Sequence, residues 1–73
     1  MSATPQHRRL LGERVRSIRK AADYTQEALA ERANLSAIFI SRVERGKESP
    51  SLDSLVKIAR ALRVSVATLV EGI

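Results

Sequence analysis

The stretch QEALAERANLSAIFISRVER, residues 26–45, restricts this chain more than any other. Leu29, Ala33, Leu35, Ile40 and Val43 are spaced for two short helices that meet at a tight turn. Asn34 stands where that turn needs a positive φ, a conformation that Asn tolerates because its short polar side chain bonds locally. Ala30 is small where the second helix must cross the first. Thr25 and Ser36 precede the two helices as N-caps, each offering a hydroxyl to a free N–H of the first turn. Tyr24 and Leu29 hold the N′ and N4 positions of a hydrophobic staple. No charged residue occupies an inward position. A random helical hairpin seldom meets all of these constraints at once.

The rest of the chain continues the helical pattern. Leu11, Val15, Ile18 and Ala22 recur at steps of four, three and four, one face of a first helix that Pro5 can open and that stops near Asp23. The second helix is read at Gln26–Ala33 and the third over residues 37–45, with Gly46 ending it as a C′ residue. After a loop at residues 47–50, Ser51 caps a fourth helix with an apolar stripe of Leu52, Leu55, Val56, Ala59 and Leu62. Ser65 caps a short fifth helix that contains Val66, Leu69 and Val70. No strand pattern and no repeat are present. The expected fold is all-α, a compact five-helix bundle. Residues 1–9 are read as a flexible basic arm carrying Arg8 and Arg9, and residues 10–73 as the domain.

Composition narrows the functions open to such a bundle. Seventy-three residues hold one domain, which buries only about 60% of the surface its unfolded form exposes. With no cysteine and a lone His7 in a polar start, disulfides and metal clusters are excluded as staples. Helix packing and oligomerisation remain. No apolar signal core opens the chain and no apolar run nears the roughly 20 residues of a membrane span, so a cytoplasmic protein with no membrane partner is expected. The net charge of +5 suits a nucleic-acid partner, and it is unevenly spread: residues 1–20 carry six basic side chains against Glu13 alone. His7 has no nucleophile or carboxylate constellation around it, and no glycine-rich phosphate loop is present, so neither an enzyme nor a cofactor is expected.

Arg19 near the end of the first helix, YTQEALA from Tyr24, LSAIFISRVERGKESPS from Leu35 and LVKIARALRVSVATLVEG from Leu55 together resemble one family. Over residues 11–72 the chain is similar to the helix-turn-helix proteins of Cro and phage-repressor type, the XRE family. The resemblance implies a lambda-repressor-like bundle and a sequence-specific transcriptional regulator that binds a palindromic operator in double-stranded DNA as a homodimer. By length the chain is similar to single-domain members: Cro-like repressors, restriction–modification controller proteins and some antitoxins. RNA polymerase is a candidate partner, blocked or touched according to where the operator lies. An antitoxin or adaptor module acting through protein contacts is the alternative, and it gains if Arg42, Gln26 and Lys47 do not converge on one face. Asp23 and Asn34 stand where the family commonly has Gly, and Ala37, Ile38 and Phe39 are apolar where members often carry polar readers.

In this geometry the third helix enters the major groove. Arg42 is the first candidate base contact, since a guanidinium bonds guanine O6 and N7 bidentately; a phosphate contact or plain solvation is the other reading. Ala37 and Ile38 are candidates for a thymine methyl, unless Ile38 packs inward, and Ser41 for a base or phosphate. Gln26 resembles the family's phosphate-binding glutamine at a helix start, with Arg45 and Lys47 as further phosphate contacts. Arg14, Arg16 and Lys20 lie on a helix that mostly faces away from DNA. The resemblance also implies a mostly buried ion pair between Arg19 and Glu44. Val66, Val70 and Ile73 are candidates for the dimer interface, with Leu69 turned to the core.

Overall fold

The computed structural model describes residues 4–73. Five helices follow in order: α1 (Gln6–Ala21), α2 (Gln26–Ala33), α3 (Ala37–Glu44), α4 (Leu52–Leu62) and α5 (Val66–Val70). Each of the last four starts at a hydroxyl cap. Thr25, Ser36, Ser51 and Ser65 accept from the N–H of the third residue onward at 3.0 to 3.1 Å. This satisfies one of the four donors that every helix start leaves free. α1 opens differently. Pro5, with φ −55°, is the residue before it, and its carbonyl accepts from Arg8 and Arg9. Arg8 and Arg9 therefore lie in α1 rather than in an arm, because proline fixes the dihedral a helix start needs. Of the segment expected as an arm, residues 1–3 lie outside the described residues.

The helix ends are closed by left-handed residues. Asp23 has φ 62° and Asn34 φ 55°, and Leu35 N–H returns to the Ala30 carbonyl at 2.9 Å. Gly46, at φ 71°, ends α3, with Lys47 N–H bonded to the Arg42 carbonyl at 2.8 Å. Both are six-to-one bonds of the Schellman type, which recover carbonyls the helix end would orphan. α3 stops at Glu44, one residue before its expected end, with Arg45 as the cap. Arg63 closes α4 at φ 58°, a conformation unusual for a long side chain.

One core gathers all five helices: Leu11, Val15, Leu29, Ala30, Ile40, Val43, Ile58, Ala59, Leu62 and Leu69. Leu29, Ile40, Ile58 and Leu69 are fully buried, each worth about 1.5–3 kcal/mol of burial. α3 is wedged between α1 and α2, and α4 packs against α2 and α5. The α1–α3 crossing depends on Gly12. A Cβ there would lie 2.5 Å from the Val43 carbonyl oxygen and 2.6 Å from that of Glu44. The α4 stripe differs from expectation at two places. Ile58 is fully buried, and Leu52, at the first position of the helix, is 67% exposed because the stripe runs past its neighbours.

Candidate nucleic-acid interface

The last turn of α1, the first turn of α2 and the end of α3 meet at one carboxylate. Arg19 Nε donates to Glu44 Oε2 at 2.6 Å and Nη2 to Oε1 at 2.9 Å, while Nη1 donates to the Tyr24 carbonyl at 2.8 Å. Both side chains are buried, at 9% and 3% exposure. The hydrogen bond to Glu44 holds the guanidinium above the ordinary arginine range, and burial opposes it only in part. Gln26 Nε2 donates to Glu44 Oε1 at 3.0 Å. The glutamine at the start of α2 is thus fixed to the end of α3 through the same carboxylate that fixes α3 to α1. Its link to Glu44 carries no sequence period, and nothing in the spacing announces it.

α3 presents a stripe in which Ile38, Ser41, Arg42 and Arg45 fall at i, i+3, i+4 and i+7. Ile38 is 74% exposed, which an isoleucine with a core to enter would not be. Arg42 and Arg45 are exposed, and Ala37 and Ser41 form the half-buried edge. Phe39 is half-buried against the core. Arg42 Nη2 donates to the Lys47 carbonyl at 3.2 Å, and its Nε lies 3.7 Å from Glu48 Oε1. Arg45 Nε reaches back to the Ser41 carbonyl at 3.4 Å, and the Lys47 side chain is exposed. Gln26 is thus tied to the end of α3 beside Arg45 in the chain, and Arg42 to the backbone of the turn that carries Lys47.

The helix-turn-helix family profile matches residues 15–69, most of the chain. The chain is a helix-turn-helix protein. The immunity repressor of Bacillus phage phi105 is 42% identical to it over 60 residues, 82% of this chain and 42% of the repressor. The chain thus spans about two fifths of that relative's length. The solved restriction–modification controller protein C.AhdI from Aeromonas hydrophila superposes with a TM-score of 0.84 at 34% identity, covering 85% of this chain and 94% of that one. The P22 c2 repressor, solved in complex with a synthetic operator, superposes with a TM-score of 0.80 at 33% identity, covering 86% and 96%. The all-α five-helix bundle and the likeness to repressors and controller proteins, both read from sequence, hold. These relatives are named as repressors and a controller protein.

Elsewhere in this helix-turn-helix protein the basic residues of α1 divide. Arg14 reaches across to α5, donating to the Thr68 carbonyl at 2.7 Å and the Glu71 carbonyl at 2.9 Å. Arg9 pairs along α1 with Glu13 at 3.5 Å, and Arg16 and Lys20 are exposed. Of the residues considered for a dimer surface, Leu69 is fully buried, Val66 and Val70 are half-buried against the core, and Ile73 is 44% exposed. Leu10 lines a shallow hollow with Gln6, His7, Gly72 and Ile73. Among the described residues no helix is long and apolar enough to cross a membrane, and no acidic, His or Cys group is placed to hold a metal.

Proposed function

We propose that this helix-turn-helix protein is a sequence-specific transcriptional regulator that binds a palindromic operator as a homodimer, as a controller-type regulator acting in the cytoplasm. The observation that carries this is the α3 stripe. Ile38 and Arg42 are exposed on one face of a short helix whose far side is locked into the core, beside Gln26 on the Glu44 carboxylate. An exposed isoleucine four residues from an exposed arginine suits a groove floor that offers thymine methyls and guanine acceptors. Gln26 and the free N–H groups at the start of α2 take one phosphate, and Arg45 and Lys47 take others. Ala37 and Ser41 complete the base-facing edge. Dimerisation through Val66, Val70 and Ile73 doubles the site, and occlusion or contact of RNA polymerase then regulates the promoter.

Selection of bound sites from random duplexes tests this directly. The expected result is a two-fold symmetric sequence with half-sites about 34 Å apart, one turn of DNA. Recovery of no enriched sequence, at salt low enough for retention, overturns the reading and leaves a protein-contacting module in its place.

A further inference from the structure

The contact between Arg42 and Glu48 uses one edge of the guanidinium and spares the other. Arginine has two hydrogen-bonding edges: a side edge made by Nε with one N–H of Nη2, and an end edge made by Nη1 with the other. Here the side edge is turned to the protein, Nη2 to the Lys47 carbonyl at 3.2 Å and Nε toward Glu48 Oε1 at 3.7 Å. Lys47 is itself fixed, because its N–H returns to the Arg42 carbonyl at 2.8 Å in the turn that Gly46 allows. The end edge is left for a base, as the two-pronged bond to guanine O6 and N7 requires.

We infer that Glu48 is a specificity-determining residue of this protein, a positioning carboxylate that presents Arg42 end-on to a guanine. This rests on the DNA-binding reading above. The role costs affinity elsewhere: a carboxylate next to Lys47 in the chain repels the phosphates around it, on every DNA sequence alike. A residue that weakens binding to all DNA and yet steadies the reader trades affinity for discrimination. Stability gives it no other task, since ion pairs this exposed contribute little to folding.

The test measures Kd for the selected operator, for the operator with the Arg42-contacted G·C pair replaced, and for unrelated duplex, in the wild type, Glu48→Gln, Arg42→Ala and the double variant. In E48Q affinity for unrelated duplex should rise, while discrimination at the guanine falls about 3- to 10-fold, part of what a bidentate pair supplies. In the Arg42→Ala background the same change should leave discrimination where Arg42→Ala alone puts it. The melting temperature of E48Q should shift by no more than about 4 °C. If E48Q keeps or improves discrimination, Glu48 is a decoy that merely holds Arg42 back, and the proposal falls. If discrimination is lost equally with and without Arg42, Glu48 acts by another route and the proposal falls too. A wild type that discriminates between no sequences removes the DNA-binding reading and this inference with it; one that discriminates through Arg42 but not Glu48 removes this inference alone.

Discussion

Two of the arginines that face carboxylates, Arg19 and Arg42, stand at opposite depths. Arg19 is buried, 9% exposed, and grips Glu44 with two hydrogen bonds of 2.6 and 2.9 Å. Arg42 is 46% exposed and stands 3.7 Å from Glu48. The buried pair has each guanidinium nitrogen bonded, the third to the Tyr24 carbonyl, and little of it is open to a ligand. The exposed pair is loose, and Arg42 makes a single side-chain hydrogen bond, to the Lys47 carbonyl. Depth decides the difference. In a low-dielectric setting an unpartnered charge is prohibitive, so the partner must be complete; at the surface water stands in, and the group stays available. A framework arginine and the proposed reading arginine therefore differ in how much of the guanidinium they leave open.

The largest test of this contrast removes the buried partner. Arg19→Met leaves the Glu44 carboxylate buried without its cation, and should cost about 3–5 kcal/mol of unfolding free energy in denaturant titration. Pairing it with Glu44→Leu should recover much of that loss; a cycle with no coupling would sink the framework role. The raised pKa of Arg19 means that its contribution is whole below the ordinary arginine value and is lost only as pH rises through the still higher folded one. From the arginine's side, then, the pair is no switch near neutrality.

Gly12 sharpens the same boundary from the backbone. In an open helix Gly→Ala gains up to about 1 kcal/mol from propensity. Here the new methyl meets two backbone carbonyls of α3, which cannot swing aside as a side chain can. Gly12→Ala should instead destabilise by about 1–3 kcal/mol, the usual cost of overpacking. A stabilised variant would mean that α1 and α3 are further apart than described.

At the exposed end the expectation reverses. Arg42→Ala should hardly move the unfolding free energy and should cost about 1–3 kcal/mol on the preferred operator, with choice relaxed at one position per half-site. Unchanged base preference would make Arg42 a backbone contact. Loss of stability on the scale of Arg19→Met would erase the contrast between the two pairs.

How much of this was legible depends on sequence distance. Caps and turns are local, so Thr25, Asn34, Ser36, Gly46, Ser51 and Ser65 marked the helix limits from their own chemistry. Inward residues of α2 and α3 were legible because one crossing fixes them. Leu52 was not, since periodicity gives a stripe but not how far the neighbours extend along it, whereas Ile58, three residues after Leu55 and four before Leu62, was legible and belonged in the stripe. Gly12 carried no turn signal, and its reason lies in a helix 31 residues further on at Val43. For Arg14 the partners are set by the tertiary fold and for Glu48 by the turn at Gly46, and a charge count sees only that both are ionic.

Arg14 stands between the two extremes and supplies the smallest test. It bonds no carboxylate but the Thr68 and Glu71 carbonyls, 54 and 57 residues away. α5 is five residues long with no basic residue in its last turn, so its C-terminal carbonyls lack a local cation. Arg14 provides one from α1. Because these bonds are exposed, water replaces much of what Arg14→Met removes, and the monomer should lose only about 1 kcal/mol. The effect on assembly should be larger in proportion, since α5 carries the proposed dimer residues Val66 and Val70 and Arg14 ties its C-terminal end to α1. Sedimentation across a concentration series should show the dimer of Arg14→Met dissociating at higher concentration than the wild type, with operator affinity weakened in parallel. Val66→Glu, which puts a charge into the same patch, should weaken it more. If Arg14→Met dimerises as the wild type does while Val66→Glu does not, then α5 needs no clamp. If neither variant changes the assembly, the dimer forms elsewhere, and Arg14 is a fastening of the bundle alone.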